Sequence, residues 1–214
     1  MASYKIVNLI DTLNTDVEDN IKVVLNSFCS PYSKDIEDFL KTKAIEFAKQ
    51  GWAQTHLVFA PYKGKNHFAG YFTLANKEFF ISEHVFKSCS GRSKINSRLR
   101  KKLLKFGTRD NELKGYRITS PLIAQLGKNY NGDSNALLTG DELLKMACDK
   151  VRNVQHLVGG RFVYLECEDI QRLIDFYSKN GFVRFGKRLL EMSEKDLLSG
   201  KYLVQMLRDL KREN

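Results

Sequence analysis

The sequence lacks the paired-cysteine and membrane-spanning patterns that define several classes of protein. Its four cysteines, Cys29, Cys89, Cys148 and Cys167, are widely scattered, and none forms a C-x-x-C pair. No apolar run approaches the length needed to cross a bilayer, and no secretory leader is visible. We therefore expect reduced thiols in a cytoplasmic protein, with no disulfide framework and no membrane span.

Metal-ligand spacing and domain linkers are also missing. The four histidines, His56, His67, His84 and His156, have no metal-like spacing with one another or with the cysteines, so we expect no metal site. The chain has no internal repeat, no low-complexity segment and no long linker. Its 214 residues suit one large domain or two small ones, and the missing linker favours a single domain over residues 1–214.

Acidic residues are scarce in one stretch of an already basic chain. The formal net charge of +10 favours acidic partners such as nucleic acid, an acidic protein or a polyanionic cofactor. Between His84 and Thr108 the sequence is rich in Lys and Arg and contains neither Asp nor Glu. The basic segment from Lys87 to Lys105 is either a track for nucleic-acid phosphates or the solvated face of a helix. We favour the solvated face because no aromatic residues interleave the charges.

Apolar spacing predicts the elements of the first half of the chain. Residues 4–10 are predicted as a short strand or a capping segment, and residues 21–28 as a strand with a short helix as the alternative. Residues 33–50 form an amphipathic helix with Ser33 as its N-cap. Residues 55–60 and 68–75 are the two strands of a hairpin. Between residues 82 and 114 a helix is predicted from a narrow apolar stripe, formed by Leu99, Leu103 and Phe106.

The second half alternates strands and helices around a polar loop. An apolar strand at residues 118–126 is followed by a turn-forming segment at 128–135 and a long helix that begins near Gly140. A helix that starts after a glycine-containing loop presents unpaired N–H groups, which suit a pyrophosphate. A strand at 161–167 comes next, and the chain closes with strands at 182–190 and 202–207.

Two phrases in this half resemble motifs of the GNAT superfamily, the acyl-CoA-dependent N-acetyltransferases. The phrase Phe176-Tyr177-Ser178-Lys179-Asn180-Gly181-Phe182 is similar to a Phe-Tyr-x-x-x-Gly-Phe motif of that family. Gly140-Asp141-Glu142-Leu143-Leu144 is similar to the Gly-x-x-Leu-Leu end of its pyrophosphate loop. The opening of that loop is altered, because Asn131-Gly132 is separated from Gly140 by an insertion. The resemblance covers about a third of the chain closely and the rest in the order of elements.

The resemblance implies a fold and an activity. The fold is mixed α/β, with a splayed mixed central sheet flanked by helices and a basic helical insertion at about residues 82–114 of a single acetyltransferase domain. The activity is transfer of an acetyl group from acetyl-CoA, as co-substrate, to a primary amine by direct attack, with no metal. Its partners are acetyl-CoA and an amine acceptor, with no membrane; a homodimer is left open.

The resemblance also assigns site residues. Tyr177 is the acid that protonates the CoA sulfur, because a phenol with a reference pKa of about 10 is protonated at neutral pH. A backbone N–H near Leu126, between Gln125 and Gly127, polarises the thioester carbonyl. The remaining cofactor-binding residues are those of the loop and the helix start: Asn131, Gly132, Ser134, Thr139, Gly140 and Asp141. A capping box formed by Thr139 and Glu142 is the competing interpretation of the helix start.

The general base is left open between three interpretations. Glu166, on the strand before the Phe-Tyr phrase, is the candidate base. The alternatives are that Glu166 forms a surface ion pair with a residue such as Arg161, and that bulk water deprotonates the amine. Ile170 stands where the family often has an asparagine. Cys167 is predicted to be a packed thiol, since no histidine lies near it in sequence.

Two other functions remain open from the sequence. The chain could be a nucleic-acid-binding or regulatory protein that keeps a GNAT-like fold without the transfer activity. It could also be a toxin that acetylates aminoacyl-tRNA. The sequence specifies neither the acceptor nor the oligomeric state.

Overall fold

The computed structural model describes residues 4–13, 18–87 and 95–210. In this part of the chain eight strands pair in the order β1-β2-β3-β5-β6-β8-β7, with β4 hydrogen-bonded to β5. The strands are β1 (Lys5–Asn8), β2 (Gln54–Tyr62), β3 (Lys65–Ser82), β4 (Thr108–Asp110), β5 (Gly115–Lys128), β6 (Phe162–Glu168), β7 (Val183–Leu189) and β8 (Tyr202–Asp209). The predicted mixed α/β class, with a mixed central sheet flanked by helices, is confirmed.

Helices of very different lengths accompany the sheet. They are α1 (Leu9–Leu13), α2 (Glu18–Asn26), α3 (Lys34–Asp38), α4 (Ala44–Lys49), α5 (Glu83–Lys87), α6 (Ser97–Phe106), α7 (Gly140–Val158) and α8 (Gln171–Lys179). A π-helical segment, Phe39–Lys43, joins α3 to α4, and 3-10 helices occupy Gly132–Leu137 and Met192–Glu194. No helix in the described ranges is long and apolar enough to cross a membrane.

The chain forms two compact units. The first unit comprises Met1–Ala75 and Ile123–Lys150, and the second comprises Asn76–Leu122 and Val151–Asn214. Strands β3 and β5 and helix α7 each contribute residues to both units. The single domain over residues 1–214, with an insertion at about 82–114, stays a prediction.

Residues 21–28 adopt the helical alternative, as part of helix α2 and a short tail, and not the strand that was preferred from the sequence. Ile21, Leu25 and Phe28 are buried, whereas Lys22 and Val23 are exposed. This spacing of three and four residues buries one face of a helix, while a strand would bury alternate residues. The strand preference failed because the β-strand propensity of the β-branched residues in this run is weak and is overridden by tertiary packing.

The helix predicted at residues 33–50 is present but contains a π-helical segment. Ser33 occupies the N-cap position, yet its side chain makes no capping hydrogen bond. Glu37 instead accepts a hydrogen bond of 2.7 Å from the N–H of Ser30, which fixes the chain entering the helix. Gly51 follows the last turn with φ of +70°, a conformation that suits a residue without a side chain.

The predicted hairpin is confirmed, with strands longer than expected. Its turn consists of Lys63 and Gly64, with φ of 49° and 75°. Two successive residues with positive φ give the turn a twist that matches the flanking antiparallel strands. Strand β1 pairs antiparallel with β2, so Asn8 lies directly opposite His56.

The core of the first unit lies between this sheet and the helices. It is built from Leu9, Ile21, Leu25, Phe28, Phe39, Leu40, Ala44, Leu57, Phe68 and Tyr71. Phe28 contacts both Phe68 and Tyr71 at ring distances of 5.8 Å and 5.2 Å. The Tyr71 hydroxyl donates a 2.5 Å hydrogen bond to the carbonyl of Ile36, so this buried phenol is satisfied.

The second unit is organised by antiparallel pairing of β6 with β8 and of β8 with β7. The two closing strands predicted from the sequence are therefore confirmed. Phe79 contacts Tyr164 at 4.7 Å and Phe185 at 4.9 Å between ring centroids, which closes one side of this sheet.

The helix predicted within the basic segment is α6. Leu99 and Leu103 are buried, while Phe106 is half exposed and contacts Phe162 edge-on at 5.7 Å. Asn96 caps the helix by accepting a 2.9 Å hydrogen bond from the N–H of Leu99. Residues 88–94 of the basic segment lie outside the described residues.

Candidate functional site

The loop between β5 and α7 is held together by the side chain of Asn129, which is almost fully buried. Its Oδ1 accepts hydrogen bonds of 3.0 Å from the N–H groups of Cys29 and Asn131. Its Nδ2 donates a 2.9 Å hydrogen bond to the carbonyl of Phe68. The N–H of Tyr130 also donates to the carbonyl of Cys29. The start of the loop is therefore fixed before any ligand binds.

The residues predicted to bind pyrophosphate occupy the exposed outer part of this loop. Asn131 donates a 2.9 Å hydrogen bond to the carbonyl of Ser27. Gly132 opens the 3-10 helix with φ of +57°, and nothing lies within 4 Å of the position where a side chain would begin. The N–H of Ser134 makes only a long 3.3 Å contact with the carbonyl of Asn131. These residues lie together in the loop, with Asn131 and Gly132 exposed and Ser134 partly buried.

The start of α7 carries the capping box that competes with a phosphate. Glu142 Oε2 accepts hydrogen bonds from the N–H of Thr139 at 2.8 Å and from its hydroxyl at 2.7 Å. The N–H of Glu142 donates to Thr139 Oγ1 at 3.2 Å. The predicted cap is thus present, and it occupies two N–H groups next to Gly140 and Asp141. The hydrogen bonds from Thr139 lower the pKa of Glu142, which keeps this carboxylate charged.

A lysine offsets that negative charge. Lys128 Nζ lies 5.8 Å from the centre of the Tyr130 ring and interacts electrostatically with Glu142. Burial lowers the pKa of Lys128, and Glu142 opposes that effect. Tyr130 in turn contacts Tyr32, which is largely exposed, edge-on at 5.2 Å.

Two of the strand residues predicted to lie near the thioester, Gln125 and Gly127, contact other residues of the first unit. Gln125 donates a 3.0 Å hydrogen bond to Asp35 Oδ2. Leu126 is partly buried. A side chain on Gly127 would lie 2.4 Å from Ile36 Cγ2 and 3.1 Å from Phe28 Cζ. Glycine is therefore needed at this position for packing against the first unit's core.

Tyr177 lies on α8 with its ring packed against two phenylalanines. Its ring centre is 4.9 Å from that of Phe176 and 6.0 Å from that of Phe182. Within residues 4–13, 18–87 and 95–210 its hydroxyl makes no hydrogen bond. Burial raises the pKa of Tyr177, and the nearby Cys167 thiol raises it further. The hydroxyl is therefore a protonated donor that still lacks an acceptor.

Glu166 has both carboxylate oxygens occupied. Arg188 Nε donates to Oε2 at 2.8 Å, and Gln205 Nε2 donates to Oε1 at 2.9 Å. Arg188 also makes two 2.8 Å hydrogen bonds to Glu194, so one guanidinium joins two carboxylates. Glu166 therefore forms an ion pair, which was one of the roles considered from the sequence, but its partner is Arg188. Arg161 pairs instead with Asp209.

Tyr177 and Glu166 lie on opposite faces of β6. Tyr177 interacts with Cys167, whereas Glu166 interacts with Tyr164, and successive strand residues point to opposite faces. The structure therefore does not bring the two predicted catalytic side chains together. Cys167 is a buried free thiol, and burial raises its pKa to about 12, as expected for a packed residue.

No group of three or more His, Cys, Asp or Glu side chains in the described ranges is arranged to hold a metal ion. His56 is buried and stacks on Phe72 at 4.9 Å. His84 is exposed.

Three residues near these sites were not predicted from the sequence. Asn129 and Lys128 shape the loop, and Arg188 fixes Glu166. A signal was available only for Lys128, as a basic residue at the end of a strand before an anion-binding turn. Asn129 and Arg188 act through hydrogen bonds to residues distant in sequence, which no local pattern reveals.

Solved structures with the same fold are bacterial toxins. No protein-family model and no curated protein matches the sequence. A bacterial toxin matches with a TM-score of 0.56 and 12% identity, covering 98% of this chain and 92% of its own. AtaT complexed with acetyl-methionyl-tRNAfMet matches with a TM-score of 0.54 and 15% identity, covering 94% of each chain. A tyrosine-to-phenylalanine mutant of the AtaT toxin, bound to the C-terminus of the antitoxin AtaR and to acetyl-CoA, matches with a TM-score of 0.53 and 14% identity. The match covers 97% of this chain and 93% of the AtaT chain.

At these identities the likeness shows the fold. AtaT has the GNAT fold, and this chain shares it over nearly its whole length. The fold that the two sequence phrases implied is therefore confirmed.

Proposed function

We propose that this protein is an acetyl-CoA-dependent N-acetyltransferase that acts on a primary amine in the cytoplasm. The observation that carries the proposal is the hydroxyl of Tyr177, which is protonated and makes no hydrogen bond within the described residues, in the Phe-Tyr-x-x-x-Gly-Phe phrase of a GNAT fold. A buried structural tyrosine usually satisfies its hydroxyl within the protein, as Tyr71 on β3 does here.

The reaction is a single direct displacement. The neutral amine nitrogen attacks the thioester carbonyl carbon, a C–N bond forms, and the C–S bond breaks. Tyr177 donates its proton to the departing sulfur, which leaves as the CoA thiol. The amine loses one proton, and the tyrosinate regains one from solvent, so no covalent enzyme intermediate forms.

The cofactor side of the proposal rests on the loop after β5. The backbone near Leu126, with Gln125 and Gly127 on either side, polarises the carbonyl. The loop residues Asn131, Gly132 and Ser134 hold the pyrophosphate with Thr139, Gly140 and Asp141. Support comes from the fixed loop start at Asn129, which removes the entropic cost of ordering that segment on binding. Lys128 supplies positive charge there.

The acceptor proton passes to solvent in this proposal. Glu166 would have to break its hydrogen bonds to Arg188 and Gln205 before it could act as a base, and it lies on the other face of β6 from Tyr177. Its role as base stays a prediction that a Glu166→Gln variant tests.

Calorimetric titration tests cofactor binding directly. Acetyl-CoA added to the purified protein is expected to give a saturable heat and to raise the melting temperature, because a ligand that binds only the folded state stabilises it. No heat and an unchanged melting temperature at saturating excess would leave a nucleic-acid-binding or regulatory protein with a GNAT fold.

A second candidate acceptor is the α-amino group of an aminoacyl-tRNA. It is favoured by the match to AtaT in complex with acetyl-methionyl-tRNAfMet, together with the basic helix α6. Expression in bacteria would then arrest growth, and Tyr177→Phe would relieve the arrest. Unimpaired growth on expression of active protein would remove this candidate and leave the general amine acceptor.

A further inference from the structure

Tyr4 connects the first strand of the sheet to the end of the loop between β5 and α7. Its hydroxyl donates a 3.1 Å hydrogen bond to the carbonyl of Leu137, a residue 133 positions away in the sequence. Tyr4 directly precedes β1, whose first residue, Lys5, pairs with Phe59 on β2. The hydroxyl is therefore carried by a hydrogen-bonded strand and not by a loose end.

The same hydroxyl also interacts with the carboxylate of Glu142. Burial raises the pKa of Tyr4, and the hydrogen bond to Glu142 raises it further, so the phenol stays protonated at neutral pH. The pKa of Glu142 is lowered first by Thr139, and Tyr4 adds to that effect. Tyr4 is thus a donor shared between the end of the loop and the carboxylate that caps α7.

The outer part of this loop lies between two segments that are fixed by other contacts. Asn129 fixes its start through three hydrogen bonds. Beyond its end Leu138 is buried, and a side chain added at Gly70 of β3 would lie 3.1 Å from the Leu138 Cδ2. The 3-10 helix Gly132–Leu137 between them contains no buried residue. Because Tyr4 binds its last carbonyl, this hydroxyl restrains the part of the loop that packing does not.

That restraint matters for a ligand that binds through the loop backbone. A loop that is fixed before binding loses less entropy when it closes on an anion. A phosphate that takes the N–H of Thr139 must also displace Glu142, which accepts a 2.8 Å hydrogen bond from it. The Tyr4 hydroxyl leaves the displaced carboxylate with a donor, so both effects of Tyr4 favour the bound state.

We propose that Tyr4 is a positioning residue for the pyrophosphate-binding loop, acting through the carbonyl of Leu137 and the carboxylate of Glu142. The inference rests on the proposed function, because the pyrophosphate is that of acetyl-CoA. Tyr4 acts on binding of the acetyl donor and not on the transfer step.

Calorimetric titration of the full chain with CoA tests the inference. The test variant is Tyr4→Phe, which keeps the ring and removes the donor. The matched control is Tyr116→Phe, which alters a partly buried tyrosine at the start of β5, whereas the loop follows the end of that strand. We expect the dissociation constant for CoA to rise about fivefold in Tyr4→Phe, as for one lost hydrogen bond, and to stay within about twofold of the wild type in the control.

Two further measurements separate positioning from a general effect on stability. In a thiol-release assay the KM for acetyl-CoA should rise by the same factor in Tyr4→Phe, while kcat stays within about twofold of the wild type. Amide hydrogen exchange over residues 132–138 should be faster in the free variant and slow again with saturating CoA.

Three results would overturn the inference. They are equal CoA affinity in the wild type and Tyr4→Phe, the same loss of affinity in Tyr116→Phe, and a fall in kcat with KM unchanged. Failure of the proposed function gives a different result, because the wild type itself would then produce no heat with CoA. A wild type that binds CoA beside a Tyr4→Phe variant that binds it equally well would remove only the role of Tyr4.

Discussion

Asn129 Oδ1 accepts a 3.0 Å hydrogen bond from the backbone N–H of Cys29, which joins the two loops flanking the candidate cofactor site. The same oxygen binds the N–H of Asn131, and the amide nitrogen reaches the carbonyl of Phe68. One buried side chain thus hydrogen-bonds to three backbone groups, two in loops and one on β3.

Replacing Asn129 by Ala should destabilise the fold by about 2–4 kcal/mol, because buried backbone groups lose their partners. Urea unfolding at neutral pH measures the change. Asn131→Ala is the control, since its exposed side chain makes one hydrogen bond and should cost less than about 1 kcal/mol. Equal costs in the two variants would contradict the role assigned to Asn129.

Sequence periodicity predicted the regular elements well. Helix α7 repeats apolar residues at three- and four-residue spacing and buries Leu143, Leu144, Ala147 and Val151, although Val154 is exposed. The hairpin and strands β6 to β8 were predicted from runs of apolar, β-branched and aromatic residues, and they are present. Residues 21–28 failed because their β-branched content favoured a strand, while packing of Ile21 and Leu25 beneath β2 and β3 made them helical.

The site was less accessible to sequence reasoning than the fold. The Thr139–Glu142 cap and the position of Tyr177 follow from local patterns, so they were predicted. The hydrogen bonds of Asn129 and the pairing of Arg188 with Glu166 join residues far apart in the chain. Such contacts depend on the assembled fold and leave no local signature.

Gly127→Ala should destabilise the protein by about 1–3 kcal/mol through overpacking. The new methyl group would meet Ile36 Cγ2 at 2.4 Å. Adding Ile36→Ala removes that atom, so the double variant should recover part of the loss in a double-mutant cycle. If the losses in unfolding free energy of the two single variants simply add in the double variant, the contact between the new methyl group and Ile36 is not the cause of the destabilisation.

His56 should make the protein sensitive to mild acid. Burial, helped by Lys150, lowers the pKa of His56 to about 4, below its unfolded value of about 6.5. Between these two pKa values His56 is protonated in the unfolded chain but stays neutral in the folded protein. The free energy of unfolding therefore falls as the pH is lowered from about 6.5 to 4. The expected loss is about 3 kcal/mol.

The variant His56→Phe, which keeps an aromatic ring on Phe72, should remove that part of the acid response. Unfolding free energies at pH 7 and pH 4 give the difference between wild type and variant. His84→Phe, at an exposed position, is the control and should lose as much unfolding free energy between pH 7 and pH 4 as the wild type does. An unchanged acid response in His56→Phe would contradict this assignment.

Glu166→Gln should retain the rate of acetyl transfer within about threefold if solvent takes the acceptor proton. It should lower the melting temperature, because Arg188 loses a charged partner. Steady-state rates across pH 6–9 measure the first effect. A loss of about a hundredfold that eases at high pH would instead identify Glu166 as the base.

The central claim is tested most directly by following release of the CoA thiol in wild type and Tyr177→Phe, with a panel of primary amines and, separately, aminoacyl-tRNA. The account predicts acetyl-CoA-dependent thiol release with at least one acceptor, and a loss of about a hundredfold or more in kcat in the variant. The melting temperature should hardly change, because the hydroxyl has no hydrogen-bond partner in the described part of the chain. A folded Tyr177→Phe protein that turns over as fast as the wild type would contradict the account.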